Sequence, residues 1–373
     1  MRNRLVVLVG FTFFTLTAVF AKNVFAPAGQ MLIDKTSAAF DSLFPGDTVF
    51  FNSGEMSQLI LRNFVGTPTK KIHFINFGGK LLISNTSSYG VSIRNCRYIN
   101  FSGNGDSRFN YGIEIHTTVG GALGVGFGSS DVEIEHIEIS KSIGPGMLIK
   151  TDPSCAFLFT RDKFTQYNTS VHNNYIHNTT TEGIYLGSTF FEGQTVRCNG
   201  KDTLVLPHIF DGVAVYENIT DSTGWDGIQV ASARNATVHH NIIKNNSQAK
   251  TASQMNGLII GNGTTGLVYN NFISKGEGTG ILLFSSGQLV AFNNIIIDPG
   301  KDNTLVDSRY GIYCDARYAL GEQNNINIFN NLIINPREEG IKHIGTEDNL
   351  KDTIANNLII NGWNIDDLHI VNL

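Results

Sequence analysis

Glu182 and Asp226 each stand directly before a Gly, forty-four positions apart. If both face outward on neighbouring turns of a regular coil, their carboxylates lie about 4.8 Å apart. That is close to the separation at which a nucleophile and a general acid share one glycosidic bond. A second chemistry is within reach of the same stretch. Lys150 or His116 could take a proton from the carbon beside a carboxylate, with Arg161 or Arg197 neutralising that carboxylate, which is what β-elimination needs. Tyr185 and Trp225 offer flat faces for sugar rings, and Glu114, His116 and Gln229 add hydrogen-bonding groups. Isolated surface charges are mostly solvated, so these residues gain meaning only if the fold gathers them.

The elements that would gather them are marked twice per repeat. An Asn flanked by aliphatic residues recurs at 174, 218, 241, 271, 294, 331 and 357. Between these lies a Gly followed by an apolar residue, at Gly183, Gly227, Gly257, Gly280, Gly311 and Gly340. The shortest turn takes twenty-three residues, as from Asn218 to Asn241 and from Asn271 to Asn294. Interleaved markers at such a period signal a solenoid whose coils stack on their neighbours. After each Gly the apolar residues alternate, as in Ile184 and Leu186, Ile228 and Val230, Leu258 and Ile260, which predicts short strands with those side chains inside. Identical Asn side chains stacked at a tight bend can bond from coil to coil, sparing buried amides the cost of being unpaired. Asn246, outside this series, is expected to face solvent.

On these residues the chain resembles the right-handed parallel β-helix proteins of the pectate-lyase-like superfamily (PbH1-type repeats), over residues 36–373. The resemblance implies an all-β solenoid of three parallel sheets and about eleven or twelve coils, with an asparagine ladder between the second and third sheets. A short helix beginning near Thr36 and running to Phe40 is expected to cap the N-terminal end. The resemblance also implies a substrate cleft along the sheet that follows each Gly. Extending the register back to Gly112 and Gly146 gives outward residues Glu114, His116, Lys150, Tyr185 and Gln229, and puts His136 where later coils carry Asn. Long insertions at residues 117–130, 152–168 and 188–206 are expected to wall that sheet, adding Asp152. A second patch, Asp315 with Tyr313 and Arg317, ranks behind it. The motifs of polygalacturonases and pectate lyases are absent, so no residue role is carried over from either family.

The catalytic set read from the sequence is therefore Glu182, Asp226 and Lys150, with Glu114, His116, Tyr185, Trp225 and Gln229 binding substrate. The expected function is action on a polysaccharide by a lyase or glycoside hydrolase. The alternatives are a carbohydrate-binding or adhesion β-helix and a polymer C5-epimerase. A divalent cation such as calcium is compatible with this chemistry, and no metal ligands are assigned.

The 373 residues carry a formal net charge of −5, which gives no support to nucleic-acid binding. Residues 1–21 combine Arg2 and Arg4, an apolar run and a small residue at Ala21, the pattern of a secretory signal peptide. A secreted protein, extracellular or periplasmic, with one domain over residues 22–373 and no membrane span follows as the expectation. Of the four cysteines, Cys155 and Cys198 lie in successive insertions and could bridge, while Cys314 falls on an inward position.

Overall fold

The computed structural model describes residues 21–86, 88–116, 118–284, 287–301, 309–316, 325–345, 351–362 and 368–372. Twelve short strands, from Leu32–Asp34 to Leu368–Asn372, stack in parallel as one sheet, here the glycine sheet. A 21-stranded ladder sheet bends at the asparagine corner into two rows, exemplified by Ser170–His172 and Tyr175–His177. Three rows of parallel strands thus enclose one core, and the connections wind right-handed as parallel crossovers do.

Close approach explains the glycines. A Cβ on Gly183 would come within 2.6 Å of the Gly227 carbonyl oxygen, one on Gly227 within 2.6 Å of that of Gly257, and one on Gly280 within 2.6 Å of that of Gly311. Each turn enters the glycine sheet where only a hydrogen fits. The inward residues Ile184, Leu186, Ile228, Val230, Leu258, Ile260, Ile281, Leu283, Ile312 and Cys314 are all fully buried.

The ladder runs unbroken. Side-chain amides donate to the next Oδ1 from Asn174 to Asn218 (2.9 Å), Asn218 to Asn241 (3.0 Å) and Asn241 to Asn271 (2.9 Å). The series continues to Asn294, Asn331 and Asn357, each at 2.9 Å. The residue before each ladder Asn has positive φ, as at Asn173, Asn270, Asn293, Asn330 and Asn356. Asparagine tolerates that left-handed conformation better than most residues. The recurring Asn-Asn pairs therefore do two jobs, the first turning the chain and the second bonding it to the next turn.

Four expectations are corrected. Residues 35–42 form turns rather than a capping helix, because Asp34 accepts from Thr36 N–H (2.9 Å) and Thr36 Oγ1 (2.9 Å) and closes the chain locally. Phe40 and Leu43 still bury their side chains there. His136 occupies the left-handed corner (φ 57), and Ile137 sits at the ladder position, its N–H donating to Asn174 Oδ1 at 3.0 Å. Gly112 leads not into the glycine sheet but into Ile113–His116 of the ladder sheet, paired with Ile137–Ser140. Asn246 is buried, its amide donating to Ser247 Oγ at 2.8 Å.

The corrected register also changes the walls. Residues 117–130 contain a rung of their own, Leu123–Gly126, so two insertions remain beside the glycine sheet. The second holds an antiparallel hairpin, Gln194–Cys198 with Lys201–Val205, and the Cys155–Cys198 disulfide ties it to the first. Cys96 and Cys314 are buried thiols. No helix among the described residues is long and apolar enough to cross a membrane.

The ladder should carry measurable stability. Asn271→Ala deprives Asn241 N–H (3.1 Å) and Asn241 Nδ2 (2.9 Å) of their acceptor inside the bend, a loss of about 1–3 kcal/mol. Asn52→Ala, at an exposed position, should leave the melting temperature unchanged within error. Equal melting temperatures for the two variants in a calorimetric comparison would deny the ladder that role.

Candidate functional site

A groove of about 350 Å³ lies on the outer face of the glycine sheet. Its floor is Gly124 and Gly126, flanked in register by Ser92 and Arg94 on one rung and Leu148 and Lys150 on the other. No side chain stands on the middle rung between the two cations, and the Tyr89 ring packs against Gly124. Tyr89, Phe127 and Phe159 form the sides, with Asp152 at the rim.

Each cation is held from the side. Arg94 Nε donates to Ser92 Oγ at 2.9 Å, and its guanidinium lies 5.0 Å from the centre of the Phe127 ring. Lys150 Nζ is 3.0 Å from Asp152 Oδ1 and 4.9 Å from the Tyr185 ring centre. Burial opposes the Lys150 charge, but the attraction of Tyr185 and Asp152 and hydrogen bonds to both outweigh it, so its pKa is raised. Lys150 is thus a firm cation rather than a ready base. The strand end beside it is pinned by Thr151 N–H donating to His208 Nε2 at 3.0 Å. Burial pushes His208 down to about 4, which keeps that nitrogen an acceptor. Tyr185, on the next rung, is half-buried with Oη 3.3 Å from Thr189 Oγ1.

The structure gathers Lys150, Asp152 and Tyr185 and separates the rest of the expected set. Glu182 (3 % exposed) and Asp226 (0 %) lie inside the bend, so neither meets a substrate there. Asp226 Oδ1 accepts from Asn256 N–H (2.8 Å) and Asn256 Nδ2 (2.9 Å), the pattern of the asparagine ladder. Burial drives the Asp226 pKa up to about 8 and raises that of Glu182. Gln229 is 2 % exposed, and Trp225 is half-buried and outside the groove lining. Arg161 is engaged with Phe191, its guanidinium 4.0 Å from the ring centre, and Arg197 pairs across its hairpin with Asp202 at 3.4 Å. Neither lines the groove, whose one arginine is Arg94.

Glu114 and His116 belong to a different assembly, on the outer face of the ladder sheet. Lys80 bonds Glu114 and lies 3.9 Å from Glu138. His116 Nε2 is 3.6 Å from Glu114, and His177 Nε2 is 3.3 Å from Glu138. Burial lowers the pKa of His116. Both carboxylates thus face one lysine ammonium, away from the groove. Further along this sheet His172, Tyr216, His239, Tyr269, Phe292 and Phe329 stack with centres 4.5–5.4 Å apart. Their faces cover one another and are closed to sugars. In the second-ranked patch, Tyr313 Oη lies 3.4 Å from Asp315 Oδ2, and Asp315 is buried. Arg317 lies outside the described residues.

Sequence reasoning missed Arg94, Tyr89, Phe127, Phe159 and the glycine floor. The available signal was Leu123-Gly124-Val125-Gly126, whose alternation places it twenty-four residues, about one turn, before Met147.

The buried Asp226 carboxyl makes folding stability depend on pH. A carboxyl raised from 3.8 to about 8 keeps its proton in the folded chain after the unfolded chain has released it. The folded state then binds the extra proton across that window, and stability falls as pH rises through it. Asp226→Asn removes the titration and keeps the Oδ1 acceptor. Its melting temperature relative to wild type should climb from pH 4 to pH 8, and a pH-independent difference would show that Asp226 is ionised when folded.

Comparison with known proteins agrees with this architecture. A family described as "Right handed beta helix region" matches residues 208–359. An alginate lyase from Paenibacillus sp. str. FPU-7 superposes with a TM-score of 0.57 at 12 % identity, covering 94 % of this chain and 99 % of that one. Pectate lyase Pel9A gives 0.52 at 10 % identity, covering 94 % and 80 %. No match was found among curated protein sequences. The chain has a right-handed parallel β-helix fold.

Proposed function

We propose that this protein is a secreted polysaccharide lyase that cleaves a uronate-containing chain by β-elimination in the groove between Arg94 and Lys150. The observation that carries the reading is the pair of cations facing each other across bare backbone at Gly124 and Gly126, with a tyrosine on the adjoining rung. A uronate carboxylate bound there is neutralised on two sides, which acidifies the proton on the carbon next to it. Tyr185, on the adjoining rung with its ring 4.9 Å from Lys150 Nζ, is the group assigned to carry the proton. In ionised form it accepts that C5 proton, the C–H electron pair becomes the C4=C5 bond, the C4–O bond breaks, and the phenol returns its proton to the leaving oxygen. Lys150 stays charged throughout and stabilises the carboxylate as it takes on enolate character.

Support from relatives is confined to kind, since the two neighbours above are named as lyases of this fold. The disulfide between Cys155 and Cys198 fits an oxidising compartment, as does the leader pattern in residues 1–21, of which residues 1–20 lie outside those described. Calcium finds poor ligands here: Asp152 is the one carboxylate lining the groove, and no group of three His, Cys, Asp or Glu among the described residues is arranged for a metal. The elimination is therefore assigned to protein groups.

Incubation with acidic and neutral polysaccharides tests the reading. Ultraviolet absorbance from an unsaturated uronate is expected. New reducing ends without it mean hydrolysis, altered uronate composition without scission means epimerisation, and retention alone means a binding protein; each overturns the lyase. Arg94→Ala, Lys150→Ala and Tyr185→Phe should each lower kcat/KM at least tenfold, about 1.4 kcal/mol of barrier, with melting temperatures nearly unchanged. Glu114→Gln and Asp226→Asn should retain activity.

A further inference from the structure

Lys275, Lys301 and Arg337 line one surface cavity of about 630 Å³ in the C-terminal half of the solenoid. It sits at the second left-handed corner of each turn, where Lys275, Asp298, Asn335 and Asn361 follow one another with φ of 58°, 52°, 52° and 55°. Backbone bonds hold the column in register: Lys275 N–H donates to Ile297 O, Asp298 N–H to Ile334 O and Asn335 N–H to Ile360 O, each at 2.9 Å. The cavity therefore runs across successive rungs of a rigid ladder, and its charges are spaced by the fold.

Its electrostatics are unbalanced. Asp298 is the lining's one carboxylate, and its Oδ1 already accepts from Asn335 Nδ2 at 2.8 Å. Asn361 Nδ2 in turn donates to Asn335 Oδ1 at 2.9 Å. None of the three cations makes a side-chain hydrogen bond or ion pair among the described residues. Elsewhere on the surface Lys71, Lys80, Lys150, Lys244 and Arg309 are matched with carboxylates. In a chain of net charge −5, the described residues that line this cavity carry three cations against one carboxylate.

We infer that this corner is a second binding site for the same acidic polysaccharide, gripping carboxylates of the chain at a distance from the groove. The identity of the polymer rests on the function proposed above; the anion site itself rests on the cavity and its charges. Between the rung of Lys150 and the rung that follows Lys275 lie the strands Ile184–Leu186, Ile228–Val230 and Asn256–Ile260, and Arg337 is two rungs further. At about 4.8 Å per rung the separation along the axis is roughly 19–29 Å. A sugar unit in an extended chain is about one rung long, and the three cations belong to three successive turns, so a polyuronate offers about one carboxylate per turn. A long chain can reach both sites, and a trisaccharide cannot.

Electrophoresis of the protein through gels containing polygalacturonate, alginate, dextran sulfate or neutral dextran tests the site without requiring turnover. The polyuronates should retard the wild type and neutral dextran should not. Lys275→Glu/Lys301→Glu/Arg337→Glu should weaken the retardation about tenfold or more, and added salt should abolish it as screening shortens to about 10 Å at 0.1 M. In turnover assays the same variant should raise KM for long polymer about tenfold with kcat, and all kinetics on trisaccharide, unchanged. Equal retardation of variant and wild type overturns the inference, as does retardation by dextran sulfate alone. If the protein cleaves nothing yet the variant loses retardation, the lyase reading falls and the anion site stands. If cleavage occurs and the variant matches wild type on every substrate, the anion site falls alone. Should the triple reversal lower the melting temperature, Lys275→Ala and Lys301→Ala, at exposed positions, carry the same comparison.

Discussion

Everything on the outside of this protein depends on a bond between identical side chains on its inside. A ladder amide such as that of Asn271 donates to Asn294 Oδ1 and to the Val238 carbonyl, while its own oxygen receives two donors from Asn241. These groups are buried, so a turn displaced along the axis or slipped by one residue would strand several of them unpaired. The column of glycines acts at another edge of the same turn, where a side chain would strike the carbonyl of the next rung. Pinned at both places, each turn repeats its neighbour, and residues far apart in sequence become neighbours at one-rung spacing.

That double constraint is also why the fold was legible and why reading it failed in one region. Where both markers are present, from Asn174 onward, the strands and their inward residues lie where the alternation puts them. In the turn before, Ile137 replaces the ladder Asn and takes no part in amide bonding beyond its own N–H. Gly112 there looks like a rung glycine and is not one. A Cβ on it would meet the Asn76 side chain at 2.4 Å, so it is glycine for a local reason, and its neighbours Glu114 and His116 face outward from another sheet. A residue type required by close approach does not say what approaches.

Direction at the bend was the other thing periodicity could not supply. Alternation holds within a strand, and Glu182 and Asp226 stand just before one. The structure turns them inward, in a column with Asn256. An acid there behaves as a substitute for asparagine: protonated, it keeps the acceptor that the next turn needs, at the cost of a proton bound up to about pH 8. Of the walls expected beside the groove, the insertion at 152–168 lines it, through Asp152, Ser154 and Phe159, and 188–206 does not. Long insertions on a rigid scaffold mark where function concentrates, and Lys150 and Tyr185 lie beside them. Its floor escaped notice because it consists of side chains that are missing.

A solenoid repeats position more strictly than it repeats chemistry, and the two proposed sites use that difference. The column that carries Leu148 and Lys150 on one rung carries Ser92 and Arg94 two rungs away, and the intervening glycines leave the cations to act on one ligand. At the far corner the same regularity sets Lys275, Lys301 and Arg337 on successive rungs around one surface cavity. Enclosure desolvates a bound charge and strengthens whatever acts on it, which favours a reacting group. An open row of charges holds a polymer through several weak, screened contacts. The net charge of −5 conceals both, because it sums over faces that a long anionic chain lying along one edge never meets.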